Sequence, residues 1–405
     1  MGGRDPSRRG LLLGGATAIG SAAGGLIIGR HLADGETVAA ADPSAGPPTT
    51  VPFLGAHQAG IADPTPTHAS FLAFDLEAGA GRAELAETLR AWTALGAALA
   101  TGDTGVDASL VSRGSEPGMF TVTVGIGGSA LDGLGIERPA PLVDLPVFPG
   151  DRLDEQSSHG GIFVQLCSDD AVYLAGAVRA VRAAARPALR PRWQLNGFRG
   201  VAAATTSSNG RNLMGQIDGT NNIAVSRAST GGAVWVEAES PAWMTGGSYV
   251  AVRRFRMLLT EWEGAGQTAR DRSVGRHVAT GAPLGAENES DPVDLEATDS
   301  AGQPVIPLDA HIRLAAPRRG AGEEMLRRSY SYSNGQAADE DGDEDAGLIF
   351  VSYQSDPTTS FIPVQQRLAE SDALTRFTVP TSSALFAVLP GVVDAEDWYG
   401  RALLE

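Results

Sequence analysis

Residues 69–100 read ASFLAFDLEAGAGRAELAETLRAWTALGAALA. The first eight are a short apolar run that suits a buried strand. From residue 83 onward Leu85, Leu89, Trp92 and Leu99 fall on one helical face. A strand feeding a helix in this way opens a longer pattern. GMFTVTVGI (118–126) alternates Phe120, Val122, Val124 and Ile126, which predicts a half-buried strand. GGIFVQLCSD (160–169) is a third strand, AVYLAGAVRAVRAAA (171–185) a helix with Leu174, Val178 and Val181 on one side, and RWQLNGFRG (192–200) a closing strand. The order β-α-β-β-α-β is that of a ferredoxin-like unit.

The second half begins and ends similarly. GAVWVEAE (232–239), GSYVAVRRFRMLL (247–259), LRRSYSYS (326–333) and GLIFVSYQ (347–354) read as strands, and FIPVQQRLAES (361–371) as a helix. A turn-rich, acidic insertion fills 264–325, and loops of that length usually carry function. The acidic run at 339–345 reads as a solvated loop, because calcium ligands need defined spacing. The expected fold is therefore α+β: duplicated ferredoxin-like domains, antiparallel sheets with flanking helices, in a dimeric α+β barrel-like arrangement. The expected bounds are 53–205 for the N-terminal domain and 206–405 for the C-terminal one.

Composition narrows the function. The 405 residues are 42% hydrophobic and 20% charged, the profile of a packed protein. A net charge of −17 argues against a nucleic-acid partner. All 31 basic residues are arginine, so no P-loop or Schiff-base lysine is available. The single cysteine, Cys167, excludes an intrachain disulfide and a cysteine-ligated iron–sulfur cluster, and reads as a small buried hydrophobe. No C-x-x-C-H occurs, which excludes covalent c-type haem attachment.

At the N-terminus the twin arginine Arg8-Arg9 precedes a Gly/Ala-rich apolar run, and small residues follow up to Ala41. Residues 1–41 resemble a twin-arginine signal peptide, and 42–52 are a Pro-rich linker. The expected location is therefore extracellular or in the cell envelope, with the twin-arginine export machinery as a partner.

Two segments concentrate the chemistry. In PLDAHIRLAAPRRG (307–320), His311 sits in an apolar, strand-like segment with Arg313 two residues on, which would put imidazole and guanidinium on one face. The other four histidines of the mature chain, His57, His68, His159 and His277, have no partners at metal-ligand spacing. In RNLMGQIDGTNN (211–222), Asp218 lies between Gly215 and Gly219. Taken alone, that is a turn.

GQIDG resembles the G-x-x-D-G signature of dye-decolorising peroxidases, and DAHIRLAAP their proximal-histidine segment. GAHQAGI, FVQLCSDD, WMTGGSYVAVRRFRM, GRHVATGAPLG, MLRRSYSYS, LIFVSYQ and SALFAVLPGV follow in that family's order, so the resemblance spans about 53–405. With the leader, it points to the exported branch, which includes deferrochelatase/peroxidases.

The resemblance implies non-covalent haem b in the second half and hydrogen peroxide as oxidant. It also implies one-electron oxidation of organic or dye-like reductants. His311 is then the axial ligand of the haem iron, Asp218 and Arg327 the distal catalytic pair, and Arg313 a propionate partner. Gly215 and Gly219 would let backbone approach the haem face. Asp394 and Glu396 are candidate partners of the proximal imidazole. Trp243, Trp262, Tyr330, Tyr332 and Tyr353 are candidate electron relays, with core packing as the competing reading. Ala316 and Ser329 depart from the family pattern, where Asn and Gly are common. The alternative function is haem binding with iron release and incidental peroxidase activity. Self-association is open.

Overall fold

The computed structural model describes residues 50–200, 210–228, 231–237, 241–318, 320, 322–337 and 344–405. The signal peptide with Arg8-Arg9, the linker up to residue 49 and residues 339–343 of the acidic run lie outside the described residues.

Nine strands among the described residues form one sheet: β1 (His68–Leu76), β2 (Thr121–Ile126), β3 (Ile162–Ser168), β4 (Leu189–Phe198), β5 (Ser248–Met257), β6 (Leu326–Arg327), β7 (Tyr330–Gln336), β8 (Glu344–Gln354) and β9 (Thr378–Val388). Their order is β5-β9-β2-β3-β1-β4-β7-β8-β6, and β5 also pairs with β8. The sheet thereby closes into an α+β barrel. Helices α1 (Arg82–Ala100), α2 (Gly128–Gly133), α3 (Ala171–Ala184), α4 (Val225–Ala228), α5 (Leu259–Gly264), α6 (Gln267–Val274), α7 (His311–Ala315), α8 (Phe361–Ser371) and α9 (Arg401–Leu404) complete it.

Two antiparallel quartets make the barrel, β4-β1-β3-β2 and β7-β8-β5-β9. The seams between them are short. β2 meets β9 only at Gly125–Val388 and Ile126–Ala387, and β4 meets β7 at Phe198–Ser331. Strand alternation builds two cores at once. Leu72 and Phe74 of β1 face outward into the cluster under α1 and α3, while Phe71 and Ala73 face the barrel interior. Trp92 ties the two helices, its Nε1 donating to the Val181 carbonyl at 3.0 Å.

Within the sheet the structure departs from the sequence pattern in three places. β2 is buried along its whole length rather than half-buried, because the polar side chains of Thr121 and Thr123 face a closed barrel and not water. GAVWVEAE forms no strand over its described residues, 232–237. Val234 and Trp235 are buried, but a turn carries them, with Val234 N donating to Gly231 O and the indole to Ala228 O. LRRSYSYS is interrupted at Arg328-Ser329 into β6 and β7.

Candidate functional site

The Asp218 segment is a tight hairpin. Arg211 and Ile217 pair as a bridge, and Asn212 N donates to Gln216 O at 2.9 Å. Asn212 Oδ1 accepts from Met214 N at 3.0 Å, and Gly215 closes the turn at φ +76°, a conformation only glycine adopts freely. Trp262 Nε1 holds the turn from beneath by donating to Met214 O at 2.8 Å. On the outgoing arm Asp218 N donates to Gly210 O at 3.0 Å, and Gly219 turns the chain away at φ +104°.

Asp218, Gly219, Arg327 and Ser329 line one cavity of about 640 Å³. Arg199 and Arg211 are also among its lining residues, so three arginines and one aspartate border it in a strongly acidic protein, although the Arg211 guanidinium itself bonds the carbonyls of Gly215, Val278 and Ala279. Such a lining favours an anionic guest. Arg327 ends β6 with its guanidinium Nη2 donating to Asn221 O at 3.1 Å. Its neighbour Arg328, just past the end of β6, bonds a different set of groups. Arg328 is buried and donates to Thr65 Oγ1 at 3.0 Å and Pro64 O at 3.2 Å. The two adjacent arginines thus have separate partners.

His311 opens α7. Its Nδ1–H donates to Asp372 Oδ2 at 2.6 Å, and Asp372 is itself buried, its Oδ1 capping the following turn at Leu374 N. The contact fixes the tautomer and leaves the lone pair on Nε2. Burial is the largest influence and disfavours a charged imidazole. The Asp372 carboxylate nevertheless wins and holds the His311 pKa above its ordinary value. Arg327 lowers it and Asp218 raises it, both less than Asp372 does. About 29% of the His311 side chain stays accessible. An oriented imidazole with a free Nε2, a nearby carboxylate and guanidinium, and a cationic cavity fit a haem with its anionic propionates.

Several expected residues fall elsewhere. The segment 311–315 is helix, not strand, so His311 and Arg313 are about 200° apart around the axis and do not share a face. Arg313 instead braces the insertion, with Nε donating to Pro307 O at 3.1 Å and Nη2 to Ile306 O at 2.8 Å and Leu295 O at 2.7 Å. Gly215 shapes the hairpin but does not line the cavity. Asp372, not Asp394 or Glu396, receives the imidazole. Asp394 caps its own turn through the N–H groups of Glu396 and Asp397. Of the candidate relays, Trp262, Tyr330, Tyr332 and Tyr353 are buried in the cores, and burial pushes the three phenols up. His57 stacks on Trp235 with ring centroids 3.8 Å apart, and His277 bonds Asp271 at 3.1 Å.

The N-terminal family model of Dyp-type peroxidases matches residues 58–199, and the C-terminal one residues 209–393. A dye-decolorizing peroxidase of Thermobifida fusca is 42% identical over 407 residues, covering 94% of each chain. A deferrochelatase of Shigella flexneri is 35% identical over 423 residues, covering 99% of this chain and 97% of the relative. The crystal structure of a DyP-type peroxidase from Cellulomonas bogoriensis is 40% identical and superposes with a TM-score of 0.83 over 89% of this chain and 100% of that one.

Proposed function

The chain belongs to the Dyp-type peroxidase family and is a haem-dependent peroxidase, and from that premise we propose the roles its residues take. When bound, the non-covalent haem supplies a redox-active iron that reduces hydrogen peroxide and recovers electrons from a reductant. His311 would hold that iron through Nε2, with Asp372 keeping the imidazole oriented and basic. Asp218 accepts a proton from one peroxide oxygen at its carboxylate and returns it to the other. Arg327 stands by as a fixed cation for the negative charge that develops on the departing oxygen before it takes up that proton and leaves as water. The hairpin and β6 place these two groups before any substrate arrives, so little reorganisation is needed.

The carrying observation is that Asp218, on the hairpin, and Arg327, on β6, line one cavity. We further propose that organic or dye-like reductants give up electrons singly, and that the protein is exported through Arg8-Arg9 by the twin-arginine route. The two quartets are read as a duplicated ferredoxin-like unit. In its support, each runs fourth, first, third, second in its own chain order when β6 and β7 count as one strand.

The test is the pH dependence of the rate with hydrogen peroxide. Arginine stays charged throughout the working range. Asp218→Asn should therefore abolish the acid limb, and Arg327→Ala should lower the rate about 10²–10³-fold while keeping the limb. An intact acid limb in Asp218→Asn removes the proton-shuttle role. A second reading, iron release from haem, is favoured by the name of the Shigella flexneri relative. It predicts an iron-free tetrapyrrole as product, formed without need of Asp218 and Arg327.

A further inference from the structure

We propose that Asn222 is a positioning residue that sets the spacing of Asp218 and Arg327 by acting as a one-residue strand for the Arg327 backbone. This rests on the peroxidase reading of those two residues. Asn222 Oδ1 accepts from Arg327 N–H at 2.9 Å, and Nδ2 donates to the Arg327 carbonyl at 2.7 Å. β6 is two residues long and pairs with β8 at Leu326–Tyr353 and Arg327–Ser352. At Arg327 both backbone groups turn away from β8, and the carboxamide satisfies them together.

The carboxamide is itself fixed, since Oδ1 also accepts from Ile223 N at 3.0 Å. One residue earlier, Asn221 O takes the Arg327 guanidinium at 3.1 Å. The dipeptide thus grips Arg327 at three points, four residues downstream of Asp218 on the same loop. Thr220 Oγ1 fastens the intervening stretch to Glu289 at 2.8 Å.

The chemistry explains why such a grip is needed. Guanidinium and carboxylate attract, and a free arginine would close on Asp218 as a bidentate pair. That pair would bind up the proton acceptor and neutralise the cation. No salt bridge joins the two among the described residues. Holding the arginine by its backbone and by a carbonyl keeps both groups available.

The test combines a double-mutant cycle with a measurement on haem-free protein. Asn222→Ala should lower the bimolecular rate with hydrogen peroxide about 10- to 100-fold, the scale of an ångström's misplacement. The KM for the organic reductant should stay unchanged. Asn222→Asp keeps the acceptor, loses the donor and should fall between, which secures the test if the alanine variant does not fold. In an Arg327→Ala background, Asn222→Ala should add less than about twofold, because its effect passes through the missing side chain. In haem-free protein, amide exchange at Arg327 should quicken at least about tenfold in Asn222→Ala and stay unchanged in Gln194→Ala, whose carboxamide on β4 donates to Asn196 Oδ1 at 2.8 Å. A wild-type peroxide rate with unchanged exchange in both Asn222 variants overturns the proposal. So does a full additive loss on top of Arg327→Ala. If Arg327→Ala alone keeps the wild-type rate, the role assigned to Arg327 fails instead, and the exchange measurement still decides whether Asn222 grips that backbone.

Discussion

The two quartets of the barrel share a strand order and differ in what covers and interrupts them. The first lies under two long helices, α1 and α3, which build the largest buried cluster of the molecule. The second is covered by α8 and by Phe148 from the opposite half, in a cluster of three buried residues. Its strand β5 carries three arginines, Arg253, Arg254 and Arg256. Between β5 and β6 the chain leaves the sheet for residues 258–325, which bring α5, α6, α7 and His311. One half is packed for stability, and the other gives up core for polar groups and a site.

That division predicts separable effects. Trp92→Ala, in the first quartet, removes a fully buried indole and its bond to Val181. It should cost about 3–5 kcal/mol in chemical unfolding and leave the haem spectrum of the folded fraction unchanged. A spectral change at low denaturant would blur the division.

Glu323→Gln probes the second half. Arg367 bonds Glu323 at 2.9 and 3.0 Å while donating to the carbonyls of Leu314 and Ala316 at the end of α7. The arginine holds the Glu323 carboxyl below the usual range. A depressed folded value stabilises above the unfolded pKa and is lost as pH falls through the folded one. The substitution should therefore cost about 1–3 kcal/mol near neutrality, with the gap to wild type closing in acid. A constant gap down to strongly acidic pH would remove the carboxylate from the account.

Asp372→Asn should weaken haem binding about 10- to 100-fold with little change in unfolding. The reverse outcome would make Asp372 a cap for Leu374 and nothing more. The smallest effect concerns Cys167, which is fully buried, its thiol pKa raised by burial. It should resist a thiol reagent at mildly alkaline pH until the protein unfolds, and rapid labelling of native protein would show the barrel interior to be open.

The same contrast governs how much was legible in the sequence. In the first quartet apolar spacing and chain order suffice, because each strand and helix is long enough to show its own period. In the second, α8 was legible for the same reason. HIRLA was not, since five residues cannot separate a strand from a helix. GAVWVEAE misled because burial supplies the apolar pattern while its described backbone makes single contacts, Val236 with Gly246 and Gly247 and Ala233 with Ser355, rather than a ladder. Asp218, Arg327 and His311 were found through motif resemblance and not through periodicity.

Their supports were invisible. Asp372 meets His311 across 61 residues and Asn222 meets Arg327 across 105. Each looks locally like an ordinary turn residue. Asp372 is one in fact, with one oxygen capping Leu374 and the other free for the imidazole. At Arg313 the shared face with His311 was misjudged, since the segment is helical and the guanidinium bonds the insertion.

The most direct test of the central claim is a haem titration of His311→Ala followed by absorption, with His57→Ala and His277→Ala alongside. The account predicts that His311→Ala loses stoichiometric binding and the spectrum of a histidine-ligated haem, while the other two titrate as wild type. Stoichiometric binding with an unchanged spectrum in His311→Ala would contradict it.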